Sequence, residues 1–246
     1  MRLTVDGPDG APIEFECADT LTSRWLCGEI LAGKTYPVLP FVGDVRVVLD
    51  VGANCGAATV LFARHYPDAA IHAFEPGSEP RAILERNAAA YPNVHVHPFG
   101  LHSVDQVVPL YKGDVDTGLG SVFRRDNNLD ESEPVQLRAG GVWAVEQGIE
   151  RVDLLKVDVE GCEVDVLRSF ADLLPGVKVV YAEYDSRAAR REIERMLAGS
   201  HDLYTGVVFL DQGELMYLRS DLAALDAARE HLQELLQIRR QGQPAS

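Results

Sequence analysis

The chain has 246 residues, 46% apolar and 25% charged, which are the proportions of a folded domain with extensions and not of a disordered polymer. Lys and Arg number 23 against 38 Asp and Glu, a net charge of −15 that repels polyphosphate at long range, so no nucleic-acid partner is expected. The basic residues of SRAARREIERM stand at i,i+4 spacing from glutamates and read as a solvated helix face. No run of about 18 uncharged apolar residues occurs, so no membrane span is expected. The N-terminal MRLTVDGPDGAPIEFE alternates polar and apolar residues and does not read as a secretion signal. Cys17, Cys27, Cys55 and Cys162 form no CxxC pair and no zinc spacing, which predicts reduced thiols in a cytoplasmic protein.

In chain order, LTVDG and APIEFECA predict a hairpin around Gly7–Pro8–Asp9–Gly10, and LTSRWLCGEILAG an amphipathic helix stopped at Gly33. Tyr36 to Phe41, with two prolines, reads as a linker. VRVVLDVG is a buried strand, followed by a glycine turn and the helix of ANCGAATVLFARHY. AIHAFEP is a second strand, SEPRAILERNAAAY a helix with Ser78 as N-cap, and VHVHPFGLH a third strand. This alternation predicts an α/β domain with a mostly parallel sheet and helices on both faces. QVVPLYKG is a candidate extra strand, and Asp114 to Gly148 reads as a long functional loop. RVDLLKVDVEG is a fourth strand, with a helix after it. VKVVYAEYD is a fifth, again followed by a helix, and LYTGVVFLDQGELMYLR a strand pair whose last member runs antiparallel. Residues 221–240 form a final amphipathic helix. Its leucines (222, 225, 232, 235 and 236) read as packing within the chain or across a homodimer. The expected organisation is an N-terminal extension over 1–40, the main domain over 41–220, and a C-terminal helix and tail over 221–246.

Ligands of open α/β sheets bind at the carboxyl ends of the strands. The first end, Asp50–Val51–Gly52–Ala53–Asn54–Cys55–Gly56, is a glycine turn without GxGxxG or GK[ST], and it carries an acid where a phosphate site would carry a base. The second, Phe74–Glu75–Pro76, offers a carboxylate placed to accept both hydroxyls of a ribose. The third, with Leu101 and His102, mixes apolar and small polar groups as an adenine edge requires. The fourth holds Lys156, Asp158 and Glu160, and the fifth Glu183. Together they imply a nucleoside with a small zwitterionic tail and no phosphate, a description that S-adenosylmethionine meets.

VVLDVGANCGAATVLFA, FEP and LLKVDVEGCEVDVL resemble the FkbM family of S-adenosylmethionine-dependent methyltransferases over residues 40–220, and the Lys156-x-Asp158-x-Glu160-Gly161-x-Glu163 segment is the most specific part. The resemblance implies a seven-stranded Rossmann-like methyltransferase sheet with the last strand reversed, and methylation, usually of a hydroxyl, in sugar or natural-product biosynthesis. It also implies that Asp50, Gly52, Asn54 and Gly56 hold the methionine part of the cofactor and Glu75 its ribose; from their places at the second and third strand ends, Pro76, Leu101 and His102 are expected to bind the cofactor as well. Thr117–Gly118–Leu119–Gly120–Ser121 stands where the family often carries a Gly/Ser-rich segment.

A hydroxyl acceptor needs a general base. Asp158 is the first candidate, with Glu160, Glu183 and His102 behind it; Asp158 and Glu160, at i and i+2, share a face if the strand continues. Asp158 with Glu183 lacks a further visible ligand set, so no metal is expected. Blander readings stand beside these. Lys156 either pairs with a carboxylate or meets substrate, Glu163 is as readily a first-turn charge as a catalytic group, and Cys55 reads as a small filler at a helix start. His95 and His97 read as surface or packed residues, and Trp143 as core. The alternatives to a small-molecule O-methyltransferase are an N-methyltransferase on an amine and a nucleoside-binding module without catalysis. A nicotinamide-dependent oxidoreductase and an RNA methyltransferase rank lower.

Overall fold

The computed structural model describes residues 1–112, 121–123 and 131–241, with only the backbone of 236–241. Thr117–Gly120 and the side chain of Leu236 therefore lie outside the described residues. The chain opens with a hairpin of β1 (Arg2–Asp6) and β2 (Pro12–Glu16), turned by Gly10 at φ 73°, and continues into α1 (Leu21–Leu31). Thr20 caps α1 by accepting from the Ser23 N–H, and Gly33 ends it at φ 72°.

The central sheet is built from β3 (Val47–Val51), β4 (Ala70–Phe74), β5 (Val94–His97), β9 (Leu154–Val157), β10 (Val179–Tyr184), β11 (His201–Val208) and β12 (Gly213–Arg219). Among the described residues its seven strands lie in the order β11-β12-β10-β9-β3-β4-β5, and β12 alone runs opposite to the other six. This is a Rossmann-like methyltransferase sheet. Strand order reverses between β3 and β9, and a crevice opens at their carboxyl ends. The intervening helices are α2 (Ala57–His65), α3 (Ser78–Ala88), α4 (Gly140–Glu146), α5 (Glu163–Ser169) and α6 (Arg187–Leu197), with α7 (Ser220–Ala223) and α8 (Asp226–Gln241) at the end.

Apolar side chains fill both faces of the sheet. One core joins α2 to the N-terminal segment, with Phe15, Cys27 and Leu31 packed among Val48, Leu61 and Phe62. The other joins Trp143, Val166 and Ile193 from α4, α5 and α6 to Val51, Leu155 and Val180. Residues 1–40 thus share the main core. Tyr36 and Leu39, read as linker, are buried within it, and the Tyr181 hydroxyl donates to Pro37 O at 2.6 Å.

Four local expectations change. VHVHPFGLH is two strands: β5 stays in the central sheet, and β6 (Gly100–His102) leaves it to join β8 (Ser132–Ala139) and β7 (Gln106–Tyr111) in a three-stranded sheet. Pro98 stands at the break, where it has no N–H to continue the ladder. The stretch read as a loop to Gly148 contains β8 and α4. Its Gly140 and Gly141 serve close packing: a Cβ on Gly141 would lie 2.3 Å from Ser169 O. Ser78 is the first helical residue of α3 and not its N-cap; Gly77 takes that place, and the Ser78 N–H donates to Glu133 on β8. The terminal helix is interrupted after Ala223, which lets Ala228 turn into the core and its carbonyl accept from the Tyr204 hydroxyl.

Candidate active site

A cleft of about 410 Å³ lies over the carboxyl ends of β3, β4 and β9, and α1 forms its far wall. That size lies within the range of small-molecule sites. Gly52 to Cys55 line its floor, Gly56 closes the turn behind them, and both glycines are steric requirements. Gly52 has φ 79°, and a Cβ on it would lie 1.8 Å from Asp158 O. Gly56 has φ 90°, and its Cβ would meet Leu84 Cδ1 at 2.5 Å. Asn54 also takes a positive φ of 50°, which turns its N–H toward the end of β4.

Glu75 receives that N–H. Its Oε2 accepts from Asn54 N at 2.8 Å and its Oε1 from Gly77 N at 2.7 Å. The two bonds fix the carboxylate and leave it lone pairs for a ligand in the cleft it lines. Burial pushes its pKa up to about 7 against the pull of the Gly77 and Asn54 N–H groups. Pro76, Gly100 and Leu101 line the same wall.

Asp50 is enclosed beneath the turn and does not line the cleft. It accepts from Thr59 Oγ1 at 2.5 Å and pairs with Lys156 Nζ at 3.3 Å. Lys156 also donates to Gly52 O at 2.6 Å and reaches Asp158 Oδ2 at 3.3 Å. Burial opposes its charge, but the carboxylates of Asp158 and Asp50 outweigh burial and hold its pKa above the ordinary lysine value. Lys156 therefore ties the first strand end to the fourth, from within.

Asp158 opens into the cleft. Tyr36, from the segment read as linker, donates its hydroxyl to Asp158 Oδ2 at 2.9 Å. Burial would raise the Asp158 pKa, but Lys156, Glu183 and Tyr36 together hold it below the usual value. Glu183 moves the other way: burial and the Asp158 charge push it to about 11, so at neutral pH it carries a proton and bonds Asp158. Glu160 reaches the same place through a turn and not along the strand, which ends at Val157; its φ is 57°. Glu163 braces that turn, its Oε1 accepting from Val159 N and Gly161 N. Ser121 donates to Glu160 O at 3.0 Å. Asp158, Glu160 and Glu183 each bring a carboxylate oxygen within 4.8 Å of the others, so a third acid joins the two paired from sequence, and the set suits a hard divalent cation.

His102 departs from expectation. It does not line the cleft; its Nδ1 lies 3.2 Å from Ser103 Oγ and its Nε2 3.6 Å from Asp165 Oδ2 on α5. It belongs to β6, which turns away with the small sheet. His97 is packed, stacked on Phe74 at 4.6 Å between ring centroids, and Trp143 is core. Tyr36 and the α1 wall, with Thr20, Ser23, Leu26 and Ile30, were not anticipated as site residues. The amphipathic spacing of α1 was the available signal, but it does not say which neighbour the apolar face meets.

The profile of the methyltransferase FkbM domain matches residues 50–212. Methyltransferase 1 of Beauveria bassiana is 31% identical over 175 residues, covering 63% of this chain and 70% of that protein. The 31-O-demethyl-FK506 methyltransferase FkbM of Streptomyces tacrolimicus is 30% identical over 230 residues, covering 78% of this chain and 85% of that one. The 2-O-methyltransferase NoeI of Sinorhizobium fredii is 26% identical over 155 residues, covering 57% and 64%.

Proposed function

The chain belongs to the FkbM-domain methyltransferases, and from that premise we propose that it transfers a methyl group from S-adenosylmethionine to a hydroxyl of a small molecule, a sugar or a natural-product intermediate. The observation that carries this reading is Glu75: a buried carboxylate, fixed by two backbone N–H groups, lines the cleft that Asp158 and Glu160 also line, while Glu183 stands behind Asp158 and does not line it. A ribose diol donates to such an acceptor. The residues present fit the cofactor. The Gly52–Gly56 turn lets the backbone approach the amino-acid part, and Pro76 and Leu101 give the base an apolar wall. Asp50 acts through Lys156 on the shape of the turn. When bound, the cofactor supplies a methyl already activated on cationic sulfur.

The protein then has two tasks. The cleft aligns the acceptor with that methyl, and Asp158 takes the hydroxyl proton as general base. Tyr36 and Lys156 keep Asp158 ionised, and the proton on Glu183 relieves the repulsion between neighbouring carboxylates. In this reading the acidic set works by proton sharing, so turnover should be the same after chelation as with added magnesium, and a loss on chelation would assign the set to a metal ion. Two relatives support hydroxyl chemistry, one a 2-O-methyltransferase and one a 31-O-demethyl-FK506 methyltransferase. The same carboxylates would attract an ammonium, which favours methylation of an amine as the second reading.

Calorimetry of ligand-stripped protein with S-adenosylhomocysteine tests the first step; binding is expected, and its absence ends the assignment. Transfer of labelled methyl into panels of sugar and polyketide alcohols, beside amines, then separates oxygen from nitrogen acceptors by fragmentation of the product.

A further inference from the structure

Cys27 on α1 and Cys55 in the turn before α2 meet with their sulfur atoms 3.5 Å apart. Both are buried against protein on most sides, yet both line the cleft. Methyl transfer uses neither. The separation exceeds the S–S bond length of about 2.05 Å by about 1.5 Å, a gap that small rotations of the two side chains can close. The two residues belong to different elements that meet at the cleft wall, so a bond between them would join the N-terminal segment to the cofactor turn.

We propose that Cys27 and Cys55 are a redox pair, which a small hydroperoxide entering the cleft converts to a disulfide that fastens α1 to the Gly52–Gly56 turn. Cys55 is the attacking thiol. The Cys27 thiol, together with the N–H groups of Cys55 and Ala57, holds the Cys55 pKa below the ordinary thiol value, while the same pairing and burial push Cys27 upward. The Cys55 thiolate attacks one oxygen of hydrogen peroxide, the O–O bond breaks, and the departing hydroxide takes up the thiol proton as water, leaving a sulfenic acid. Cys27 Sγ then attacks Cys55 Sγ, the S–O bond breaks, and hydroxide leaves with the Cys27 proton as a second water. Two thiols lose two electrons, and one peroxide becomes two waters. Cys17 lies beside the pair, but it does not line the cleft, and burial pushes its thiol up.

The consequence for binding rests on the function proposed above. A cofactor seated over the Gly52–Gly56 turn covers Cys55, and a disulfide draws the turn toward α1 and narrows the space between them. Oxidation and cofactor binding therefore oppose each other, by the same factor in both directions.

Reduced full-length protein is treated with hydrogen peroxide, its remaining thiols are alkylated in denaturant, and the peptides are mapped by mass spectrometry. A Cys27–Cys55 link that dithiothreitol reverses is expected, and it persists in Cys17→Ser. Peptides linking Cys17 to Cys27, or Cys55 oxidised to sulfinic acid with no link, overturn the pair. S-adenosylhomocysteine should slow formation of the link, and oxidation should weaken its binding by about tenfold in the wild type, within the usual span of coupling between sites. Cys55→Ser, which lacks the attacking thiol, compared only with itself before and after peroxide, should show no change in that affinity; equal affinity in the oxidised and reduced wild type overturns the coupling. The mapped link is read without any ligand, so a protein that binds no S-adenosylhomocysteine refutes the cofactor reading and leaves the thiol test intact.

Discussion

Glu75 has a proton that burial retains and two backbone N–H bonds that release it, and the balance sits at about pH 7. Ribose hydroxyls donate to the ionised form, so S-adenosylhomocysteine affinity should weaken as pH falls from 8 to 6. Glu75→Gln should flatten this dependence and cost about 1.5–3 kcal/mol of binding at pH 8, the worth of hydrogen bonds to a charged group. Calorimetry across pH checks both, and a pH-independent wild type would remove Glu75 from the ribose site. Asp158→Asn should lower turnover by about 10²–10⁴-fold, the usual contribution of a general base, while cofactor affinity stays within a few-fold; single-turnover methylation beside calorimetry makes the comparison. Lys156 answers to stability. Lys156→Met leaves Asp50 buried without its ion pair, and denaturant unfolding should show a loss of about 3–5 kcal/mol, largely recovered by adding Asp50→Asn. These acids were legible in the sequence because each closes a strand that runs into the crevice. The reach of Lys156 to Asp50 was not, since which of several nearby carboxylates it meets depends on the register of β3 against β9.

The segment from α1 to Leu39 works as an element because it supplies both a wall and a donor. Tyr36 reaches Asp158 from 122 residues away, and its ring also lies over Lys156 at 5.5 Å. Tyr36→Phe keeps the ring packing and removes one hydrogen bond to an ionised group. The acid limb of the turnover profile should therefore move to higher pH, since that bond helps hold the Asp158 pKa down. A pH–rate profile checks the shift; a fall in melting temperature with an unmoved limb would make Tyr36 a packing residue only. Two prolines and no periodicity made this stretch look like a connection, because sequence reports where chain direction changes and not what a single side chain meets afterwards. The same limit explains Gly140 and Gly141, taken for loop glycines when they admit Ser169 and Phe170 against α4. The alternation of β-branched runs with helical spacing did carry the central sheet, since strands covered on both faces are apolar throughout.

At the scale of the whole molecule, two sets of buried groups make stability depend on pH in opposite senses. Glu75 has its folded pKa raised by burial to about 7 from the ordinary 4.5, so its contribution is full below the unfolded value and is lost as pH rises through 7. His72 and His97, on adjacent strands with their ring nitrogens 3.1 Å apart, are depressed to about 4 from 6.5, first by burial. Their contribution is full above 6.5 and is lost as pH falls toward 4. Between pH 8 and 6.5 Glu75 and Glu183, whose pKa burial also raises, both gain stability as pH falls; below 6.5 His72 and His97, joined by His65, His201 and His231, which burial also depresses, reverse the trend. Melting temperature in the free protein should thus pass through a maximum near pH 6 to 7. Glu75→Gln should make the rising branch between pH 8 and 6.5 shallower, so that the gap between variant and wild type widens in favour of the wild type as pH falls. His97→Gln should soften the acid branch instead. Thermal scans of the three proteins from pH 8 to 4 decide the matter, and parallel curves would mean that neither set titrates in the folded state as its burial requires.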